Sequence, residues 1–161
     1  MAAEILRAIG RIARALDSIA NVEFKDLALN RGQYLYLVRI YEQPNIILEE
    51  LSQLLRVDKT TASRAVNKLV AQGLVKKYQD THSAKRQLLK ITAEGKRLAE
   101  FILLENNYSE LKALQGLNSE QIEQLSTLLQ VVDENILNEF QTVKAGKIRD
   151  YSQMLRRKSD D

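Results

Sequence analysis

Apolar residues recur along this chain every three or four positions, interrupted by short polar breaks, which is the signature of a succession of amphipathic helices. Ile5, Ile9, Ile12, Leu16 and Ile19 form one stripe, and Arg7, Arg11, Arg14 and Asp17 occupy the other face of the same helix. A polar link over residues 21–28 follows, with Phe24 and Leu27 as packing points. The second helix is expected to open at Leu29-Asn30, with Asn30 as N-cap, Gln33 reaching back from N3, and Leu29 and Tyr34 closing a hydrophobic staple. Tyr34, Val38 and Tyr41 then share a face, and Pro44 ends the helix by disfavouring helical geometry at Gln43. The spacing predicts a third helix over 47–55, with Leu48, Leu51 and Leu55 inward. A fourth starts at Asp58, a good N-cap, buries Ala62, Val66 and Leu69, and closes with Gly73 at the position that favours a left-handed residue.

The pattern then changes. Residues 74–79 and 87–91 are short apolar runs between turn signals and are expected to be strands around a polar, basic loop over 80–86. Thr92 caps a long fifth helix, 93 to about 114, which Gly116 breaks. Asn118 as N-cap, Gln121 at N3, and Leu117 with Ile122 as staple open a sixth helix. Its stripe is Ile122, Leu125, Leu129, Val132, Ile136 and Phe140, and the basic extension 141–161 is expected to fray. Helix, turn, helix, strand, loop, strand is the order of a winged helix-turn-helix. The fold class is therefore mainly α with a small β-wing, with terminal helices forming a dimerisation lobe. The expected organisation is an N-terminal dimerisation helix and link (1–28), a DNA-binding lobe (29–92), long C-terminal dimerisation helices (93–140) and the extension. The DNA-binding lobe has a core of its own, so Ile5, Ile9, Ile12, Leu16, Leu125, Leu129, Val132 and Ile136 read better as a dimer interface than as a further core.

Composition narrows the class. At 161 residues the chain is one domain, or one domain with an extension. One proline and six glycines leave little material for breaks, which favours long helices. No run approaches the roughly 20 apolar residues that span a bilayer, and residues 1–16 lack the continuous apolar core of a secretion signal, so a cytoplasmic location and no membrane partner are expected. The absence of cysteine excludes disulfides, thiolate zinc sites and thiol redox sensing. His82 is the sole histidine and reads as a solvated loop residue, with no metal expected. No nucleophile–base pair or phosphate-cradling glycine loop is present, so neither an enzyme nor a cofactor is expected.

Charge is distributed unevenly. Residues 56–90 hold nine basic side chains and two acidic ones, a net +7 in a chain of net +3, so the rest sums to −4. Positive charge is concentrated on the expected reading module, where a phosphate backbone would lie. With Ala62, Val66 and Leu69 inward, the outer face of the fourth helix presents Thr60, Thr61, Ser63, Arg64, Asn67 and Lys68. Hydroxyls and Asn bond to bases or phosphates, and Arg64 can pair with guanine in two-pronged fashion, at about 1–3 kcal/mol of discrimination. Lys59 and Lys68 suit phosphate, and helix N-terminal amides near Asp58 could meet one too, although the Asp58 charge opposes it. In the loop, Lys85 and Arg86 near its tip suit the narrow, negative minor groove, while Asp80 reads equally as turn residue or clamp. Double-stranded DNA is the expected partner. The competing reading, a winged-helix protein-interaction module without ligand response, fits less well because this face lacks the aromatic anchors of interface hot spots.

Three stretches resemble the MarR family of winged-helix transcription regulators: Leu51-Ser52-Gln53-Leu54-Leu55-Arg56-Val57-Asp58-Lys59-Thr60-Thr61-Ala62-Ser63-Arg64-Ala65-Val66-Asn67-Lys68-Leu69, then Gly73-Leu74-Val75, then Ile91-Thr92-Ala93-Glu94-Gly95. The resemblance covers nearly the whole chain, to about Phe140. It implies an obligate homodimer built from the first and last helices, a palindromic operator, repression as the usual outcome, and often release by a small, frequently phenolic ligand. By the same analogy a ligand pocket between dimer helices and DNA lobe makes Tyr34, Val38 and Tyr41 candidates for lining it. One departure stands out. The family's wing commonly carries Asp-any-Arg-Asp, whose arginine enters the minor groove, and the matching residues here are Asp80-Thr81-His82-Ser83. His82 takes the arginine position and Ser83 the second acid, so minor-groove contact has moved to Lys85 or Arg86, or is weaker.

Overall fold

A computed structural model describes residues 2–27, 29 and 32–151, and these divide into two compact units, Met1–Ala113 and Leu114–Asp161. The first unit runs α1 (Ala2–Glu23), a short 3-10 turn (Lys25–Leu27), α2 (Gln33–Glu42), α3 (Leu48–Leu54), α4 (Lys59–Ala71), β1 (Val75–Asp80), β2 (Ser83–Ile91) and α5 (Ala93–Ala113). With α6 (Ser119–Lys144) in the second unit, this is the mainly helical, winged helix-turn-helix architecture that the periodicities predict.

The hub of the first unit is α2. It buries Gln33, Tyr34, Tyr36, Leu37, Val38 and Ile40, more than the single face read from its sequence, because it packs against α3, α4, α5 and β2. Around it lie Leu51 from α3, Ala62, Val66 and Leu69 from α4, Val75 and Leu89 from the sheet, and Ala99 and Ile102 from α5, all at or near zero exposure. Each such Leu or Ile contributes about 1.5–3 kcal/mol by leaving water. Phe24, an expected packing point, closes the core with its ring 5.3 Å from Tyr34 and 6.3 Å from Phe101.

Several boundaries differ from the sequence reading, each for a local reason. The first helix continues through residues expected in the link, to Glu23. The second begins later: Gly32 stands at the N-cap with φ 78°, so Gln33 is the first helical residue and not N3. Glycine adopts that left-handed geometry without steric cost, and Asn30, the expected cap, lies outside the described residues. The wing is tighter than expected. β1 extends to Asp80 and β2 starts at Ser83, leaving Thr81 and His82 as the turn. The Asp80 carboxylate accepts the His82 N–H at 2.9 Å, an Asx turn that reverses the chain early, so Arg86 lies on a strand rather than at a loop tip, as does the backbone of Lys85, whose side chain lies outside the described residues.

Three helices close alike. After α4, Gly73 N–H donates to Val70 O and Leu74 N–H to Leu69 O, with Gly73 at φ 72°. After α3, Arg56 N–H donates to Gln53 O and Val57 N–H to Ser52 O, with Arg56 taking the left-handed place at φ 56°. After α6, Gly146 N–H donates to Val143 O and Lys147 N–H to Thr142 O, with Gly146 at φ 71°. Each is a Schellman closure that satisfies otherwise orphaned carbonyls.

In the second unit, Asn118 Oδ1 accepts the Gln121 N–H at 2.9 Å and Gln121 Oε1 accepts the Asn118 N–H at 3.0 Å, the reciprocal cap expected. α6 runs past Phe140 to Lys144, and Arg149 Nε pairs with Glu139 at 2.7 Å, so the helix reaches into the residues read as extension. Residues 152–161 lie outside the described residues. Among the described residues no helix is long and apolar enough to cross a membrane.

Candidate nucleic-acid interface

The fourth helix is positioned from both ends. Asp58, in extended conformation, accepts the Thr61 N–H at 2.8 Å through Oδ1 and the Thr61 hydroxyl at 2.7 Å through Oδ2. The Schellman closure at Gly73 fixes the other end. With Ala62, Val66 and Leu69 fully buried, Lys59, Thr60, Thr61, Arg64, Asn67 and Lys68 are all exposed and Ser63 is half-buried. The expected reading face is thus one open surface. Two of its members already have partners. The Thr61 hydroxyl proton is committed to the cap, so toward a ligand this oxygen can only accept. Asn67 Oδ1 accepts a bond of 2.7 Å from Lys77 Nζ, which comes from β1.

The wing hairpin pairs Val75 with Ile91 through Gln79 with Gln87, then shifts register at Gln79–Asp80. The other edge of β2 is held by the segment before α3: Leu89 N–H donates to Ile46 O at 2.9 Å, and Leu88 bridges Ile47. Arg86 adds a side-chain tie. Its Nη2 donates to Glu50 Oε1 at 3.2 Å and its Nε lies 4.0 Å from Asp80 Oδ2. Glu50 Oε2 also accepts the Ile47 N–H, at 3.2 Å. Arg86 and Glu50 are each about half exposed, so the pair is worth about 0–1 kcal/mol and orients more than it stabilises. Asp80 therefore serves as turn residue and as partner to Arg86 together, while His82 stands exposed at the tip.

Glu50 and Lys77 are the residues that sequence reading missed. Glu50 sits three places after Ile47, the spacing of a carboxylate that reaches back to a helix N-terminus, and that signal could have been read. Lys77 counted only as charge, because no local pattern reveals a partner ten residues away on another element. Thr92, read as a helix cap, does more. Its hydroxyl oxygen accepts the Gly95 N–H at 3.0 Å, and it lies 2.8 Å from the Gly73 carbonyl oxygen, to which it donates. It thereby joins the ends of α4 and α5 at the base of the wing.

The pocket candidates separate. Tyr34 and Val38 are buried and line a cleft of about 220 Å³ with Leu103 and Asn106, whereas Tyr41 stands outside it, half-buried, with its hydroxyl donating to Glu100 at 3.1 Å. The Tyr34 hydroxyl donates to Asp17 at 2.8 Å, and burial, reinforced by that carboxylate, pushes the phenol far above its ordinary pKa. Burial raises Tyr36 as well, with the charge of Asp58 adding to it. A larger apolar groove of about 690 Å³ runs between α1 and α5, lined by Leu16, Ile19, Phe101, Leu104 and Tyr108. The residues expected at a dimer interface are open. On α1, Ile5, Ile12 and Leu16 are exposed and Ile9 is half-buried. On α6, Leu125, Leu129 and Ile136 are exposed and Val132 is half-buried. Among the described residues no group of three or more His, Asp or Glu is placed to hold a metal ion.

Comparison with known proteins agrees with this geometry. Residues 29–86 match the profile of the MarR family. The HTH-type transcriptional regulator YybA of Bacillus subtilis (strain 168), described as uncharacterized, is 51% identical over 148 residues, covering 92% of this chain and 99% of that protein. A putative MarR family transcriptional regulator from Listeria monocytogenes, solved in complex with a 26mer DNA, is 47% identical with a TM-score of 0.88, covering 91% of this chain and 97% of that one. The crystal structure of the transcriptional regulator SlyA is 46% identical with a TM-score of 0.82, covering 86% of this chain and 98% of that one.

Proposed function

The chain belongs to the MarR family of winged helix-turn-helix transcription regulators, and from that membership we propose that it is a dimeric repressor of a palindromic operator, released by a small aromatic ligand of phenolic type. It is a DNA-binding regulator and not an enzyme. The observation that carries the reading is the open outer face of α4, which sets Thr60, Arg64 and Lys68 on a helix whose opposite side is fully buried. An α-helix of this kind fits the major groove, with its N-terminal half at the base edges.

Roles follow from chemistry. Arg64 reads guanine, and Thr60, Ser63 and Asn67 supply further polar contacts to bases or phosphates. Lys59 and Lys68 neutralise phosphate, and Thr61 acts through the cap. In the wing, His82 and Lys85 approach the minor groove, while Asp80 and Arg86 set the hairpin's shape, with Arg86 also adding positive potential. Two copies associate through the apolar stripes of α1 and α6, which supports the two-fold symmetry that a palindrome requires. The dimer then presents two recognition helices to half-sites about 34–36 Å apart. A ligand in the cleft beside Tyr34 and Val38 favours dimers whose helices stand at another spacing, so release is a shift of population.

Selection of bound duplexes from a random pool, repeated across salt concentrations and with phenolic ligands added, tests this. Inverted half-sites one helical turn apart, affinity that falls steeply with salt, and loss of binding on ligand addition are expected. A chain that sediments as a monomer at binding concentrations, or that enriches no duplex, overturns the reading.

A further inference from the structure

We infer that Asn67 is fixed by Lys77 as a hydrogen-bond donor toward DNA, so that it recognises an acceptor (a phosphate oxygen, O6 of guanine or O4 of thymine) and loses the two-pronged preference of asparagine for adenine. The inference deepens the DNA-reading role proposed above and rests on it.

The argument begins with the bond between Lys77 Nζ and Asn67 Oδ1, at 2.7 Å. An ammonium group can only donate, so the amide must turn its oxygen toward it. The usual ambiguity between the two ends of an asparagine amide is thereby removed by chemistry. Lys77 is half-buried on β1, the strand that follows α4, and β1 and α4 pack together, so the tether comes from the protein's own body. Oδ1 faces the wing, and Nδ2 is the end left for whatever docks on the exposed face of α4. Asn67 lies one helical turn beyond Arg64 and seven residues beyond Thr60, in line with the residues proposed to read DNA.

This bears on specificity. Asparagine reads adenine by a two-pronged contact in which the amide donates to N7 and accepts from N6. With Oδ1 turned toward the wing and held there by a cation, it is not presented beside Nδ2 for that contact, whereas a single donor is satisfied by guanine O6, thymine O4 or phosphate and meets a competing donor at adenine N6. Lys77 keeps its charge and two further donors while it holds Asn67 in place.

The experiment is selection from random duplexes with the full chain and its Asn67→Ala, Asn67→Asp and Lys77→Met variants. Asn67→Asp keeps an oxygen for Lys77 but replaces the NH2 with a second oxygen, so it should bind less well than Asn67→Ala, which should lose about 2–10-fold, the range for one hydrogen bond. If the acceptor is a base, guanine or thymine is enriched at the position that Asn67→Ala relaxes, and Lys77→Met admits adenine there. If it is phosphate, Asn67→Ala weakens all duplexes alike and leaves the preference intact. Adenine enriched by the wild type at the Asn67-dependent position, or Asn67→Asp binding as well as Asn67→Ala, overturns the assignment while the DNA-reading role stands. A wild type that enriches no duplex overturns both.

Discussion

Gly95 gives the sharpest test of the packing described above. It lies in the first turn of α5, where its N–H donates to the Thr92 hydroxyl oxygen at 3.0 Å. A Cβ placed there would overlap the carbonyl oxygen of Leu74 and stand 2.8 Å from Ile91 Cγ1. The obstructing oxygen belongs to backbone, and it already accepts from Thr92 N–H at 3.0 Å and shares with the Gly73 carbonyl the one proton of the Thr92 hydroxyl, 3.1 Å away, so moving it strains both contacts. Gly95→Ala gains about 1 kcal/mol of helix propensity. Against this stand about 1–3 kcal/mol of overpacking and about 1 kcal/mol for each weakened bond. The net expectation is a loss of about 2–4 kcal/mol, which in a chain of this size lowers Tm by roughly 5–15 °C. Thermal melting followed by circular dichroism at one fixed chain concentration measures it. Gly10→Ala is the matched control, because its Cβ would meet only the flexible Arg14 guanidinium, at 3.2 Å, so the propensity gain should survive and Tm should hold or rise. Two glycines that respond in the same direction, or a Gly95→Ala variant within about 0.5 kcal/mol of the wild type, would refute the steric account.

Other substitutions probe separate features. Asp58→Ala should cost about 1 kcal/mol in urea unfolding by removing the α4 cap, whereas Asp58→Asn should keep the cap and, by removing a negative charge beside the phosphates, tighten duplex binding in a gel-shift titration. Arg56→Gly should raise stability by about 0.5 kcal/mol, since an L side chain in the left-handed region is strained; an unchanged or lower urea midpoint would contradict that. Ile12→Glu or Leu129→Glu should convert dimers into folded monomers by sedimentation velocity, with operator affinity lost and circular dichroism retained. Arg86→Ala and Glu50→Gln should each speed hydrogen exchange at the wing strands by a few-fold, and protection unchanged from the wild type in both variants would remove their tie from the account.

What was legible in the sequence was whatever depends on near neighbours. Asp58, Thr92 and the Asn118–Gln121 pair were readable as caps because a cap needs only a residue type and a spacing of three. The buried stripe of α4 was readable because one face of a 3.6-residue repeat is enough to define it. The extent of α2's burial was not, since elements on several sides cover it and a helix covered on more than one side loses the contrast that reveals a stripe. The Schellman closure at Arg56 escaped notice because glycine is the expected signal and arginine masks it. The wing's turn was placed too late because the reversal depends on the Asp80 side chain, which competes locally with continued loop. Of the recognition face, the exposed set was legible from α4's periodicity, but the Lys77–Asn67 and Glu50–Arg86 ties join elements that meet only once the chain has folded.

Because Ile46 and Ile47 clasp one side of β2, that strand is interior, and β1 is the hairpin's single outward margin. That margin carries Lys76 and Lys77, and like charges brought edge to edge repel. A bare hairpin reaching into solvent would otherwise be a template for stacking copies into fibrils, and this one is guarded on both flanks. Association between chains is thereby steered away from strand addition.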